Sequence, residues 1–143
     1  MNAKKYIVIT IMGMLGAVCR YLIGLFMPTT LDIPYGILVV NLLGSFFLPI
    51  VFIILREISP IPADMVTGIG TGFIGAFTTF SSFTTDVIQL ALEGQALQAA
   101  CYSLGNLIGG LALAILSVIL CDNYVKHYKE KKENQNTRSN QCL

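Results

Sequence analysis

Few side chains in this sequence could do chemistry, and those that could are crowded into apolar segments. Between Met65 and Leu92, Phe77, Phe80 and Phe83 recur every three residues, with Thr78, Thr79, Ser81, Ser82, Thr84 and Thr85 among them. Phenylalanine ring edges are electropositive and hydroxyls donate hydrogen bonds, so this spacing could line a narrow path for a small anion. The same composition also suits plain packing, in which rings fill space and small residues let helices approach. Spacing alone leaves both readings open. Asn41 has Ser45 one turn later on the same face. Its carboxamide could donate two hydrogen bonds to an anion or tie helices together, and left unpaired in lipid it would be expensive. Tyr102, Asn106 and Gly110 fall at i, i+4 and i+8 and could form a second polar strip, while Gly105 and Gly109 have a GxxxG packing spacing. Arg20 is the one cation deep in an apolar run. It could draw anions to a vestibule, or snorkel and pair structurally. Asp86 is a candidate proton site, or an interfacial residue near the end of its run.

Enzyme chemistry is excluded early. His127 is the only histidine, and no nucleophile–base set, zinc spacing or phosphate-binding loop is present. The run GIGTGFIG at 68–75 has the glycines of a nucleotide loop but no strand before it. Cys19, Cys101, Cys121 and Cys142 are scattered without CxxC spacing and read as small apolar fillers.

The elements that must position these residues follow from charge and hydropathy. Of 143 residues, 55% are hydrophobic and 12% charged, far from a soluble domain. Between Tyr6 and Cys121 the charges are only Arg20, Asp32, Arg56, Glu57, Asp64, Asp86 and Glu93. Four apolar runs result, Tyr6–Met27, Tyr35–Leu55, Met65–Leu92 and Leu97–Cys121, each near or above the ~20 residues a membrane helix needs. The expected fold is an all-α integral membrane domain of four helices over residues 1–121, followed by a charged tail at 122–143. The first run is too long for a signal peptide and contains Arg20, so it reads as a permanent helix. Pro28, Pro34, Pro60 and Pro62 mark the ends of runs, Pro49 should kink the second, and the tail should be partly helical and fray into disorder. As one helix the third run would extend about 42 Å, more than a ~30 Å hydrocarbon core requires. Rich in glycine and hydroxyls, it reads as a helix broken near its centre beside a polar path.

Orientation follows from lysine and arginine. Four spans put the N-terminus, the 56–62 loop and the tail on one side. Of nine Lys and Arg, Arg20 lies within a span, and the other eight fall on that side; the 28–34 and 93–96 loops have none. The bias places both termini in the cytoplasm.

Together, GAVCRY at 16–21, VNLLGSF at 40–46 and GFIGAFTTFSSF at 72–83 resemble the signature motifs of the Fluc or CrcB family of fluoride channels. The likeness spans all four runs in order; only the tail lies outside it. It implies an antiparallel, dual-topology-type dimer in the cell membrane, with two pores along the subunit interface and passive export of fluoride that relieves toxicity. Asn41 corresponds to the pore asparagine, and Phe80 and Phe83 to the rings that meet fluoride. Ser81, Tyr102 and Asn106 fall among the pore-lining polar residues. Backbone carbonyls of Gly75 and Thr78 from both subunits would hold a structural, untransported Na+. Asn106 and Gly110 stand where serines are usual, Ile37 replaces a common threonine, and Pro49 a common glycine. The one-sided charge further implies pairing with a related subunit of opposite orientation, since one chain inserting both ways needs near-balanced charge. Two other classes set the contrast. A small proton-coupled four-helix multidrug exporter needs a titrating membrane carboxylate, absent from the first run; a non-transporting scaffold would rely on the tail.

Overall fold

The computed structural model describes residues 3–27 and 33–141, with side chains as far as residue 135. Every regular element among them is helical. Helix α1 is Ala3–Phe26, and α2 is Tyr35–Ile50, widening without a gap into a π-helical turn, π1, at Val51–Leu55. Next come α3 (Ala63–Thr67), π2 (Gly68–Ile74) and α4 (Gly75–Phe77) as one continuous body. Helix α5 is Phe80–Leu92 and α6 is Ala96–Gln141. Three unbroken stretches are long and apolar enough to cross a membrane: Ala3–Phe26, Tyr35–Leu55 and Ala96–Gln135. The remaining apolar run is divided at Thr78 and Thr79.

Proline fixes the boundaries as its missing N–H dictates. Pro34 caps α2 and Pro62 caps α3. Pro28 and its neighbours lie outside the described residues. Within α2, Pro49 cannot donate to the carbonyl one turn back, and the helix opens into π1 two residues later. The expected disruption is thus taken up as a widened turn. Beside it the fully buried Ser117 hydroxyl donates to the Phe46 carbonyl at 2.6 Å, fastening α6 to α2.

The helices pack as two parallel pairs. Helix α1 lies along α3–π2–α4, with Val8 against Gly68, Met12 against Gly72, and Gly16 against the Phe73 backbone. Helix α6 lies along α2, with Leu38 over Gly105, Leu42 over Gly109 and Ser117 on Phe46. The GxxxG spacing therefore serves close approach. Parallel pairing puts the starts of α1 and α3 at the same end as the close of α2 and the tail of α6. That end gathers Lys4, Lys5, Arg56 and Lys126.

The tail departs from expectation. Rather than fraying after Cys121, α6 runs unbroken for 46 residues, about 69 Å at 1.5 Å per residue. Lysine, glutamate and glutamine are good helix formers, so a charged composition does not itself end a helix. Tertiary contact assists: Cys121 and Val125 are buried, and the Lys129 ammonium lies 2.8 Å from the Glu57 carboxylate. That hydrogen-bonded partner holds the Glu57 carboxyl below the usual carboxylate range. Cys19, Cys101 and Cys121 carry free thiols; Cys142 lies outside the described residues.

The closest approach of a glycine to a neighbouring helix backbone among the described residues gives a direct test. A Cβ on Gly16 would overlap the Phe73 carbonyl oxygen, whereas one on Gly24 meets nothing within 4 Å. Gly16→Val should yield aggregated or degraded protein, and Gly24→Ala a single sharp peak on size exclusion in detergent. Equal behaviour of the two would show that the α1 crossing does not govern assembly.

Candidate functional site

The site is built around two residues that leave the helix. Thr78 is extended (φ −81°, ψ 156°) and so is Thr79 (φ −149°, ψ 124°), between the end of α4 and the start of α5. In a continuous helix the Thr79 N–H would close a ring on the Gly75 carbonyl. Here it donates to Asn41 Oδ1 at 2.9 Å, and Asn41 Nδ2 donates back to the Thr79 carbonyl at 3.1 Å. One carboxamide thus bonds to both backbone polar groups of one residue, as a neighbouring strand would. Gly44, one turn along α2, gives this approach its room, since a Cβ there would collide with the Thr78 methyl.

Thr79 also restarts the helix. Its hydroxyl accepts from the Ser82 N–H at 3.1 Å, a side-chain N-cap for α5, and it is in hydrogen-bond contact with the Ser81 and Ser82 hydroxyls. Thr78 turns the other way, its hydroxyl donating to the Ile74 carbonyl at 3.0 Å to close off α4. The two threonines divide the labour: one finishes a helix and the next begins another. Carbonyls at the end of α4 and amides at the start of α5 therefore meet at one place. A break of this kind offers a negative helix end and a positive one side by side.

The predicted polar residues converge on this point. Asn41 Nδ2 is 3.2 Å from Asn106 Oδ1, and Asn106 Nδ2 donates to the Tyr102 carbonyl at 3.2 Å. Tyr102, almost fully buried, gives its hydroxyl to the Asp86 carboxylate at 3.0 Å. Gly110 faces the Ser45 hydroxyl. Both Asn41 donors are thus engaged within the protein, which is the helix-tying role. Asp86, first read as a proton site or an interfacial residue, is a half-buried acceptor for Tyr102.

The phenylalanine stripe splits at the break. Phe80 and Phe83 lie 5.9 Å apart and Phe83 is 5.5 Å from Tyr102, a connected ladder of rings. Phe77 is on the other side, buried and stacked on Phe73 at 5.9 Å. Period three describes one face only where winding is continuous, and here it stops between Phe77 and Phe80. Phe80 is 76% exposed on the described surface. It edges an open groove of about 480 Å³ that runs from Asn41 and Thr79 past Gly75 and Ser45 to Leu48 and Phe52.

Among the described residues no group of histidine, cysteine or carboxylate side chains could hold a metal. Gly75 is exposed, nothing lies within 4 Å of where its Cβ would be, and its carbonyl has lost the Thr79 N–H. Backbone carbonyls at an open helix end fit a hard cation of low charge. Arg20 is half-buried, and it makes no hydrogen bond or ion pair among the described residues. The residue that sequence reasoning underrated is Thr79; the adjacent β-branched Thr78–Thr79 pair after a glycine run was the available signal.

The clamp predicts unequal outcomes at its two ends. Asn41→Asp sets carboxylate oxygens against the Thr79 carbonyl and Asn106 Oδ1, leaving buried groups unmatched at about 1–3 kcal/mol each. Thr79→Ala removes the α5 cap, at about 1 kcal/mol, and its local contacts with the Ser81 and Ser82 hydroxyls, while the Asn41 bonds to the Thr79 backbone remain. Thermal unfolding in detergent should show a clearly larger midpoint loss for Asn41→Asp; the reverse order would separate the clamp from stability.

With this geometry in place, comparison with known proteins is informative. The profile of the family described as CrcB-like protein, Camphor Resistance (CrcB), matches residues 7–118. The chain is similar to fluoride-specific ion channel FluC 2 of Listeria innocua, 44% identical over 108 residues, which are 76% of this chain and 83% of the relative. It is also similar to fluoride-specific ion channel FluC 1 of Bacillus cereus, 38% identical over 123 residues and 85% of each chain. The corresponding FluC 1 of Bacillus anthracis is 38% identical over 132 residues, 90% of this chain and 95% of that one. The match takes in all of α1 through α5 except the first turn, together with the apolar part of α6, so this chain belongs to the CrcB-like family.

Proposed function

We propose that this chain is a subunit of a fluoride channel through which the ion leaves the cytoplasm passively. The carrying observation is the interrupted helix at Thr78–Thr79, clamped by Asn41 and opening beside Phe80 onto a groove. Family membership and the relatives' names, fluoride-specific ion channels, support the same reading. In this account the 63–92 segment also crosses the membrane, as the third of four spans in chain order, and both termini of this cell-membrane protein face the cytoplasm.

Fluoride is small and strongly hydrated, so a pore must replace its water with weak donors that do not trap it. Ring edges of Phe80 and Phe83 and the hydroxyl of Ser81 supply such donors, while Tyr102, Asn106 and Asn41 fix the wall behind them. An anion leaving a cytoplasm at negative potential gains about 2.3 kcal/mol per 100 mV. Passive flow is therefore sufficient for export. A proton-coupled multidrug exporter would need a free titrating carboxylate, whereas Asp86 is hydrogen-bonded to Tyr102.

The groove beside Phe80 and Gly75 is one wall of a path, and an antiparallel second subunit supplies the other. Carbonyls of Gly75 and Thr78 from both subunits are the residues that would hold Na+, which would neutralise facing carbonyl ends and lock the interface. The partner is a related chain of opposite charge bias, because the cations of this one are gathered at a single end.

Fluoride-electrode efflux from liposomes tests the channel. Phe80→Ile should slow efflux about tenfold, the effect of losing about 1–1.5 kcal/mol of ring-edge stabilisation at the barrier, while assembly is unchanged. Unaltered efflux would remove Phe80 from the path. Mapping of the termini in cells should find a single orientation when the chain is expressed alone; equal populations of both, with a working homodimer, would refute the partner.

A further inference from the structure

Below the break lies a feature that the channel reading does not use. On α2 and its π turn, Asn41, Ser45, Leu48, Phe52 and Arg56 succeed one another about a turn apart. The first four line the groove at the break. Phe52, whose ring lies over Gly70, also walls a second hollow of about 580 Å³. The other walls of that hollow include Arg56 and Glu57 at the end of α2, and Asp122, Lys126 and Lys129 on α6. Phe52 is a wall common to both spaces. Lys126 and Lys129 lie past residue 118, where the family match ends.

The charges around this hollow are unequal. Arg56, Lys126 and Lys129 face Glu57 and Asp122. Lys129 and Glu57 neutralise each other at 2.8 Å, which leaves Arg56 and Lys126 against Asp122. Phe52, Ile53 and the buried Val125 form an apolar, low-dielectric wall on which such a field is focused rather than dissipated. The position of the lysines depends on α6 remaining helical beyond the apolar stretch, and it does so through this region.

We propose that this hollow is an anion-collecting vestibule at the cytoplasmic mouth of the groove, positioned by the α6 extension and tuned by the Glu57–Lys129 pair. It rests on the fluoride-channel reading above. Fluoride arriving from the cytoplasm meets a positive potential before it meets the rings, so its local concentration at Phe52 is raised. Glu57 sets the strength of that field by masking one of the three cations.

The test is the sign and salt dependence of flux in the full chain, with any required partner, in liposomes. At about 10 mM salt the screening length is about 30 Å, and at about 1 M it is about 3 Å. At low salt Lys126→Gln should slow fluoride efflux about twofold and Glu57→Gln should speed it by a similar factor, the size expected of one unscreened surface charge near a pore mouth. In high salt both should converge on the unmodified protein, and Lys126→Arg should match it throughout. A merely structural role for the pair would instead lower flux in both variants at every salt concentration, and that result overturns the vestibule. So does unchanged flux at low salt, or a loss in Lys126→Arg. Absence of fluoride flux in the unmodified protein overturns the channel reading as well, which separates the two failures.

Discussion

The backbone of a single residue, Thr79, sets the terms for this structure. A helix that crosses lipid cannot drop hydrogen bonds without replacing them, because the hydrocarbon offers none. The Thr79 N–H has left the helical ladder and the Thr79 C=O stands at the start of the next helix, and one side chain, Asn41, bonds to both. That pairing demands an amide at this depth on α2 and a glycine at position 44 to admit the Thr78 methyl. It also demands a second carboxamide, Asn106, to receive the remaining Asn41 donor. The Asn106 NH₂ is in turn directed at the Tyr102 carbonyl, and the Tyr102 hydroxyl at Asp86. Polar residues that look isolated in the sequence are one chain of obligations that begins at the break.

Much of this organisation could be read from residue order. The spacing of charges delimits the apolar runs, prolines 34 and 62 mark helix starts, and glycine with hydroxyls marks the divided segment. What could not be read depends on three-dimensional pairing. The phenylalanine repeat looked like one stripe because periodicity assumes unbroken winding; two extended residues send Phe77 to Phe73 and Phe80 to Phe83. Asn41 could be read as a free donor or as a tie between helices, because nothing in the sequence shows that Thr79 needs it. The π turns at 51–55 and 68–74 leave no compositional mark beyond Pro49 and a glycine run. The tail was expected to be only partly helical before fraying because its charge resembles that of solvated segments, yet the contacts of Val125 and Lys129 with the end of α2 and its adjoining loop lie far away in sequence.

The helix pairing explains why the break can exist without loosening the bundle. Helix α1 grips only the part of the segment before Thr78, through Gly68, Gly72 and Phe73, while α5 beyond the break rests on α6 through Phe83, Leu90 and Tyr102. Each half therefore has its own partner. A discontinuity between two independently anchored halves strains neither, and the exposed faces of Gly75 and Phe80 stay clear of the internal contacts. The small residues that crowd α1 against π2 are what free the opposite face for the groove.

On the proposed reading, the same discontinuity also reconciles two opposite electrostatic needs. A permeating anion requires donors, and an interface between two subunits requires that facing carbonyl ends be neutralised. A continuous helix presents neither in mid-membrane, since its amides and carbonyls consume one another. Two extended residues release a carbonyl end at α4 and an amide end at α5, a few residues apart, so cation and anion can be served by adjacent stretches of one backbone. Charged side chains could perform either task, but in hydrocarbon they would bind fluoride too tightly to release it and would need burial partners of their own. Partial charges from the backbone, rings and hydroxyls attract without trapping. The scarcity of ionisable groups along the groove is then a requirement of conduction, and the full charges belong at its mouth, in water.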